Sequence, residues 1–180
     1  IGYNHSTTGS YTNAFDFDHA NNTLIRNCRA RGFSRGFYFY GSPNYQGGGA
    51  YNVTVLDSSW DGGGDYCIQS EMRGPRINNT NCTGDIRFLD VNETVITGGM
   101  IDGAVDFAKN NAHNNIIQNV TFNRTAPGDC IKFSFSFSSG TPAITGTKIL
   151  YNDFYNCGDS MGGYRASHSP HSYGGRDFDD

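Results

Sequence analysis

Leucine is nearly missing from this chain: Leu24, Leu56, Leu89 and Leu150 are the only four in 180 residues. No window repeats apolar residues at the 3.6-residue spacing of an amphipathic helix, which excludes a helical bundle and leaves strand and turn. No run of 18 apolar residues occurs, so no helical membrane span is expected. An excess of cations is missing too. Thirteen Lys and Arg face 17 Asp and Glu, a net charge of −4, which argues against nucleic acid as a partner. The one basic cluster, Arg26, Arg29, Arg31 and Arg35, reads as a solvated face. No CxxC and no His pair accompanies the five cysteines, so no metal site is expected. Of the histidines, only His168 and His171 stand at ligand spacing, in a polar stretch where they read as surface residues. The chain opens on Ile1 with no signal peptide, and so reads as a processed form or a piece of something longer.

What is abundant is Gly (24) together with Asn, Ser and Thr, and the 13 Phe and 11 Tyr supply the large buried area that a narrow core needs. One phrase recurs six times, an aliphatic residue followed two places later by Asn, Asp or Thr. It reads Ile25-x-Asn27, Val55-x-Asp57, Ile77-x-Asn79, Val95-x-Thr97, Ile117-x-Asn119 and Leu150-x-Asn152. The steps between the polar members are 30, 22, 18, 22 and 33 residues, the length of a solenoid turn with room for loops. A second strand pattern follows several copies, opened by a corner Gly: Gly36-Phe37, Gly64-Asp65, Gly84-Asp85, Gly103-Ala104 and Gly128-Asp129. Residues 42–49 and 72–76 carry Pro and Gly and are predicted to be loops. Residues 14–18 and 133–138 alternate apolar and polar, so both are predicted to be strands.

Ile117-Gln118-Asn119-Val120-Thr121-Phe122 with Gly128-Asp129-Cys130-Ile131-Lys132-Phe133 resembles one coil of a right-handed parallel β-helix of the pectate-lyase and polygalacturonase type. Residues 24–39, 53–69 and 95–107 look similar. The resemblance implies an all-β solenoid of about six coils over residues 14–158, after an irregular segment 1–13 and before a loosely ordered or docked tail 159–180. It also implies an Asn ladder, here Asn27, Asp57, Asn79, Thr97, Asn119 and Asn152, with each rung buried at a turn and bonded to backbone of adjacent coils. Polygalacturonase-like enzymes carry Asn-Thr-Asp, Asp-Asp-Cys, Gly-His-Gly and Arg-Ile-Lys segments. This chain has single carboxylates at Gly128-Asp129-Cys130 and Gly64-Asp65-Tyr66-Cys67 and lacks the last two segments, so the glycosidase set is incomplete. Pectate lyases use Ca²⁺ and an Arg or Lys base, so Ca²⁺ would be the cofactor of a lyase and none is otherwise expected.

Eight Asn-x-Ser/Thr sequons begin at Asn4, Asn21, Asn52, Asn78, Asn81, Asn92, Asn119 and Asn123. Chance gives about three, so the excess fits a secreted, N-glycosylated protein, with Asn119 set apart as a buried rung. In the coil register, Cys28, Cys67, Cys82, Cys130 and Cys157 fall in different coils, with Cys67 and Cys130 about 14 Å apart. All five are expected to be small, unpaired core residues.

Counting from each corner Gly predicts one outward row, Asp16, Tyr38, Gln69, Arg87, Asp106 and Lys132, one residue per coil. Within it, Arg87, Asp106 and Lys132 are the candidate catalytic residues, with Arg87 or Lys132 as base and Asp106 binding a cation or sugar. The plainer reading is an exposed salt-bridge row that keeps the sheet soluble. Two functions follow. The favoured one is an extracellular or cell-surface β-helix glycoprotein, structural, binding or fibre-forming, whose open ends add strand to strand in a filament. The other is a lyase or hydrolase acting on an acidic polysaccharide.

Overall fold

The computed structural model describes residues 12–18, 20–40, 51–62, 65–89, 91–109, 111–135, 143–157 and 176–178. The predicted loop at 42–49, the sequon at Asn4, the segment 1–11 and most of the 159–180 tail lie outside them.

Every described element is a strand, and almost all pairing is parallel. Sheet 1 stacks Asn13–Asp18, Arg35–Tyr40, Tyr66–Ser70, Asp85–Leu89, Val105–Lys109 and Ile131–Phe135. Sheet 2 stacks Leu24–Arg26, Thr54–Leu56, Arg76–Asn78, Val95–Thr97, Ile116–Gln118 and Thr147–Leu150, closed by the antiparallel strand Arg176–Phe178. Sheet 3 stacks Arg29–Arg31, Ser59–Asp61, Asn81–Cys82, Met100–Ile101, Thr121–Gly128 and Asp153–Cys157. A small fourth sheet pairs Asn111–His113 with Ala143–Thr145. The chain visits sheets 1, 2 and 3 in turn and then begins again, so each strand pairs with its equivalent one circuit away. Parallel strands in several stacked sheets are consistent with a β-helix.

Alternation decides what goes inside. Sheet 2 turns Ile25, Val55, Ile77, Ile96, Ile117 and Ile149 into one register column, and sheet 1 stacks Phe rings. Phe15 lies 5.2 Å from Phe37, Phe17 lies 5.4 Å from Phe39, and Phe107 sits between Phe88 at 5.3 Å and Phe133 at 5.4 Å. Near-parallel rings at these separations gain attraction beyond their buried area. Sheet 3 contributes Ala30, Trp60, Cys82, Ile101, Phe122 and Phe154. Trp60 fits because its neighbours are glycines. A Cβ at Gly36, Gly62 or Gly84 would lie 2.6 Å from an atom of the indole. Residues 14–18 are a strand as predicted, and of the strand predicted at 133–138 residues 133–135 are one, while 136–138 lie outside the described residues. The stretch 72–76 departs from a pure loop: Arg73 bridges Tyr51, and Arg76 already starts a strand.

Two expectations are corrected. Four of the six proposed rungs, Asn27, Asp57, Asn79 and Asn119, do occupy one equivalent corner, all with left-handed backbone at φ of 47° to 55°. The other two are one residue out. Ile96 and Ile149, rather than Val95 and Leu150, continue the inner column, so Gly98 and Tyr151 take the corner instead of Thr97 and Asn152. The corner is also a surface: Asn27, Asn79 and Asn119 are exposed, because a left-handed residue swings its side chain out of the sheet. Asn79 Nδ2 donates to Asp57 Oδ1 at 2.9 Å across that surface. Polar groups that hold neighbouring backbone sit elsewhere. Asn152 Oδ1 accepts from Val120 N at 2.9 Å while its Nδ2 donates to Ile117 O, and Asn115 Oδ1 accepts from Thr94 N at 3.0 Å.

The cysteines are the second correction, since four of the five are paired. Cys67 joins Cys82 and Cys130 joins Cys157, each with Cα atoms 5.5 Å apart. The partners stand within a single circuit, Cys67 on and Cys130 just before a sheet 1 strand, and Cys82 and Cys157 on the sheet 3 strand reached next. Only Cys28 is free among the described cysteines.

Candidate functional site

The outward row of sheet 1 forms as counted. Asp16 pairs with Tyr38, Tyr38 with Gln69, Gln69 with Arg87, Arg87 with Asp106 and Asp106 with Lys132. Three of the strands achieve this because a glycine with no room for a side chain stands at or just before their start, Gly36, Gly84 and Gly103. A Cβ at Gly103 would lie 2.4 Å from Gly84 C, which fixes the start of the strand at Val105 and with it the direction in which Asp106 faces.

The three candidate residues are therefore brought together, and their charges are already engaged, Arg87 with Asp106 and Lys132 with Asp85. Arg87 Nε lies 3.6 Å from Asp106 Oδ2, and Arg87 Nη1 donates to Tyr66 Oη at 2.6 Å with its guanidinium 5.4 Å from that ring. Lys132 Nζ reaches across one strand to Asp85 Oδ2 at 3.8 Å, while Asp85 Oδ1 accepts from Ala104 N at 2.7 Å. Further along, the Arg35 guanidinium sits 5.0 Å from the Tyr38 ring, and Tyr38 lies 6.0 Å from Tyr40. Cation–π stacking of this kind holds both partners flat against the sheet.

The row is not uniformly exposed. Asp16 is exposed and Tyr38, Arg87 and Lys132 are half-buried, but Gln69 is only 7% and Asp106 8% exposed. Alternation sets the direction of a side chain and says nothing of what covers it. Gln69 Oε1, Arg87 Nε and Asp106 Oδ1 are buried without a hydrogen-bond partner, a condition that costs about 1–3 kcal/mol per group. Burial pushes the Asp106 carboxyl above the ordinary range, partly offset by a hydrogen bond from Ser134 and by the charges of Arg87 and Lys132. Tyr38 is pushed up as well, by burial first and by Glu71 next. None of the described residues forms a group of three or more His, Cys, Asp or Glu able to hold a metal ion. No described helix is long and apolar enough to cross a membrane.

Sequence reasoning found the row but missed the neighbouring one, Arg35, Tyr66 and Asp85, which pair in turn; Asp85 stands two residues before its row member and Arg35 and Tyr66 three, because the register shifts beside Asp85. A comparison of the chain with known protein families, curated proteins and solved structures finds no match.

Proposed function

We propose that the chain is an extracellular, N-glycosylated surface protein with a structural or binding role, wound as a right-handed β-helix of about six coils in the manner of the pectate-lyase-like superfamily. The observation that carries this reading is the pair of disulfides, Cys67–Cys82 and Cys130–Cys157. Such bonds persist in oxidising compartments, where N-glycosylation also takes place. The sequons support it. Asn21, Asn52, Asn81, Asn119 and Asn123 are exposed, and Asn78 and Asn92 are half-buried. Asn21, Asn81 and Asn92 accept backbone N–H groups of Tyr51, Met100 and His113 through Oδ1, which leaves Nδ2, the atom that carries a glycan, outside those bonds. Asn119, expected to be buried, joins the exposed set. Filament growth by strand addition belongs to the same reading at the end formed by Leu24–Arg26 and Arg29–Arg31. At the other end the antiparallel strand Arg176–Phe178 covers the edge of sheet 2.

A polysaccharide lyase or hydrolase is the second reading, favoured by the direct register of Arg87, Asp106 and Lys132. Against it, both cations are paired with carboxylates, which leaves neither positioned as a base. Intact-mass measurement of secreted protein before and after enzymatic deglycosylation tests the first reading. A loss corresponding to several glycans is expected, and an unchanged mass would sink it. Release of unsaturated or reducing ends from pectin or alginate, lost in Lys132→Ala, would establish the second.

A further inference from the structure

Five large apolar side chains stand exposed among the described residues: Leu24, Tyr51, Met100, Tyr151 and Tyr155. Taken singly, an exposed apolar residue on a protein surface needs no explanation. Their placement does. Tyr51 pairs with Asn21 of the preceding circuit, and Tyr155 pairs with Asn123. Met100 stands beside Asn81, whose Oδ1 accepts its backbone N–H at 3.0 Å. Tyr151 stands beside Asn119, each at the left-handed corner of its circuit, and Asn119 N donates to Leu150 O at 3.1 Å. All four asparagines are exposed, and each opens an Asn-x-Thr sequon. Leu24, the exception, lies on the first strand of sheet 2, with no described circuit before it to carry a sequon. The placement is also one-sided. On the preceding circuit Asn81 faces Ser59 and Asn119 faces Gly98, neither of them a large apolar group.

We propose that Tyr51, Met100, Tyr151 and Tyr155 are packing platforms for the first sugar, an N-acetylglucosamine, of glycans on Asn21, Asn81, Asn119 and Asn123. A pyranose has an apolar C–H face that lies flat on a tyrosine ring, and the flexible methionine thioether moulds to an acetyl methyl. Adjacent circuits lie about 4.8 Å apart, so a sugar on one asparagine reaches the side chain beside it on the next circuit. At Asn21 and Asn81 the amide already leans that way, since Oδ1 accepts from Tyr51 N and Met100 N and leaves Nδ2 to carry the glycan. Each glycan is thereby bonded to one circuit and packed on the following one, a tie that the two disulfides, closed within single circuits, do not supply. The inference rests on the proposed glycosylation and names what it does for the fold. Asn52, Asn78 and Asn92 supply the internal contrast. Beside them on the next circuit stand Gly74, Thr97 and His113, none of them among the exposed large apolar residues.

The test is a thermodynamic cycle on the glycosylated protein, before and after enzymatic trimming of every glycan to its first sugar. Unfolding in urea is followed for the parent, Asn123→Gln, Tyr155→Ser and the double variant. With Tyr155 present, the sugar on Asn123 should raise the folded-to-unfolded ratio by about threefold to tenfold, and with Tyr155→Ser by less than about twofold. The cycle subtracts what Tyr155→Ser costs by itself, so a general loss of strand stability does not mimic the result. A second measurement needs no variant. Nuclear Overhauser contacts are expected from the sugars on Asn21, Asn81, Asn119 and Asn123 to their four platforms, while the sugars on Asn52, Asn78 and Asn92 should touch no apolar side chain of the next circuit. A stabilisation that is the same with and without Tyr155, or that vanishes when the outer sugars are trimmed, overturns the proposal. So does the absence of the Overhauser contacts. Glycopeptide mapping separates the failures: empty sequons at these four positions overturn the glycoprotein reading and this inference with it, whereas occupied sequons without coupling to the platforms overturn this inference alone.

Discussion

The two faces of sheet 1 are made by the same six strands, and they obey different rules. Inward, Phe rings stack at 5.3–5.4 Å, Phe17 on Phe39 and Phe88 on Phe107 on Phe133, with only the small Ser70 between Phe39 and Phe88. Outward, the row runs Asp16, Tyr38, Gln69, Arg87, Asp106 and Lys132, each unlike the residue it pairs with, and Gln69 Oε1, Arg87 Nε and Asp106 Oδ1 are left without hydrogen-bond partners. A face that serves stability minimises unsatisfied groups, and one that tolerates them is being held for something else.

The contrast can be broken in four places. Phe107→Ala removes a ring packed on both sides in a fully buried column and should destabilise by about 3–5 kcal/mol in urea titration. A loss under 1 kcal/mol would mean that the stack is not what holds the sheet. Gly84→Ala pushes a methyl to 2.6 Å from the Trp60 ring and should cost about 1–3 kcal/mol. Gln69→Met reverses the sign. It discards an unpaired amide oxygen for an apolar side chain, and should raise stability by about 1 kcal/mol; destabilisation would show that the oxygen has a partner and that the faces are alike.

The smallest effect is a slope. Because burial raises the Asp106 carboxyl in the folded state, the fold favours the protonated acid. Its stabilising contribution is full below the ordinary carboxylate range and is lost as pH rises through the raised folded value. Asp106→Asn removes that loss, so melting temperatures of the variant should fall less than those of the parent between acid and neutral pH. Parallel curves would place Asp106 among ordinary surface carboxylates.

Much of the architecture was readable because aliphatic-x-polar phrases and corner glycines each mark a fixed point in a circuit, and the row from Asp16 to Lys132 follows by counting. The same phrase misled at Val95-x-Thr97 and Leu150-x-Asn152, where two adjacent aliphatics compete for the inner column and only pairing with Ile117 decides between them. The cysteines were misjudged for a related reason. Comparison between equivalent positions of different coils is correct for Cys67 and Cys130, but Cys67 meets Cys82 within one circuit, a proximity that linear spacing does not encode. The burial of Gln69 and Asp106 depends on what lies over the strands, which alternation cannot reveal.

Each disulfide fastens a circuit to itself and none ties one circuit to the next. For a chain pulled by its ends, this is a mechanical statement. The parallel ladders between circuits peel one at a time, but the segments from Cys67 to Cys82 and from Cys130 to Cys157, sequence separations of 15 and 27, cannot be drawn out while the bonds hold. About 50 Å and about 95 Å of contour length stay folded away from the load. Reduction releases this slack, so the redox state of the surroundings sets how far the molecule can be stretched.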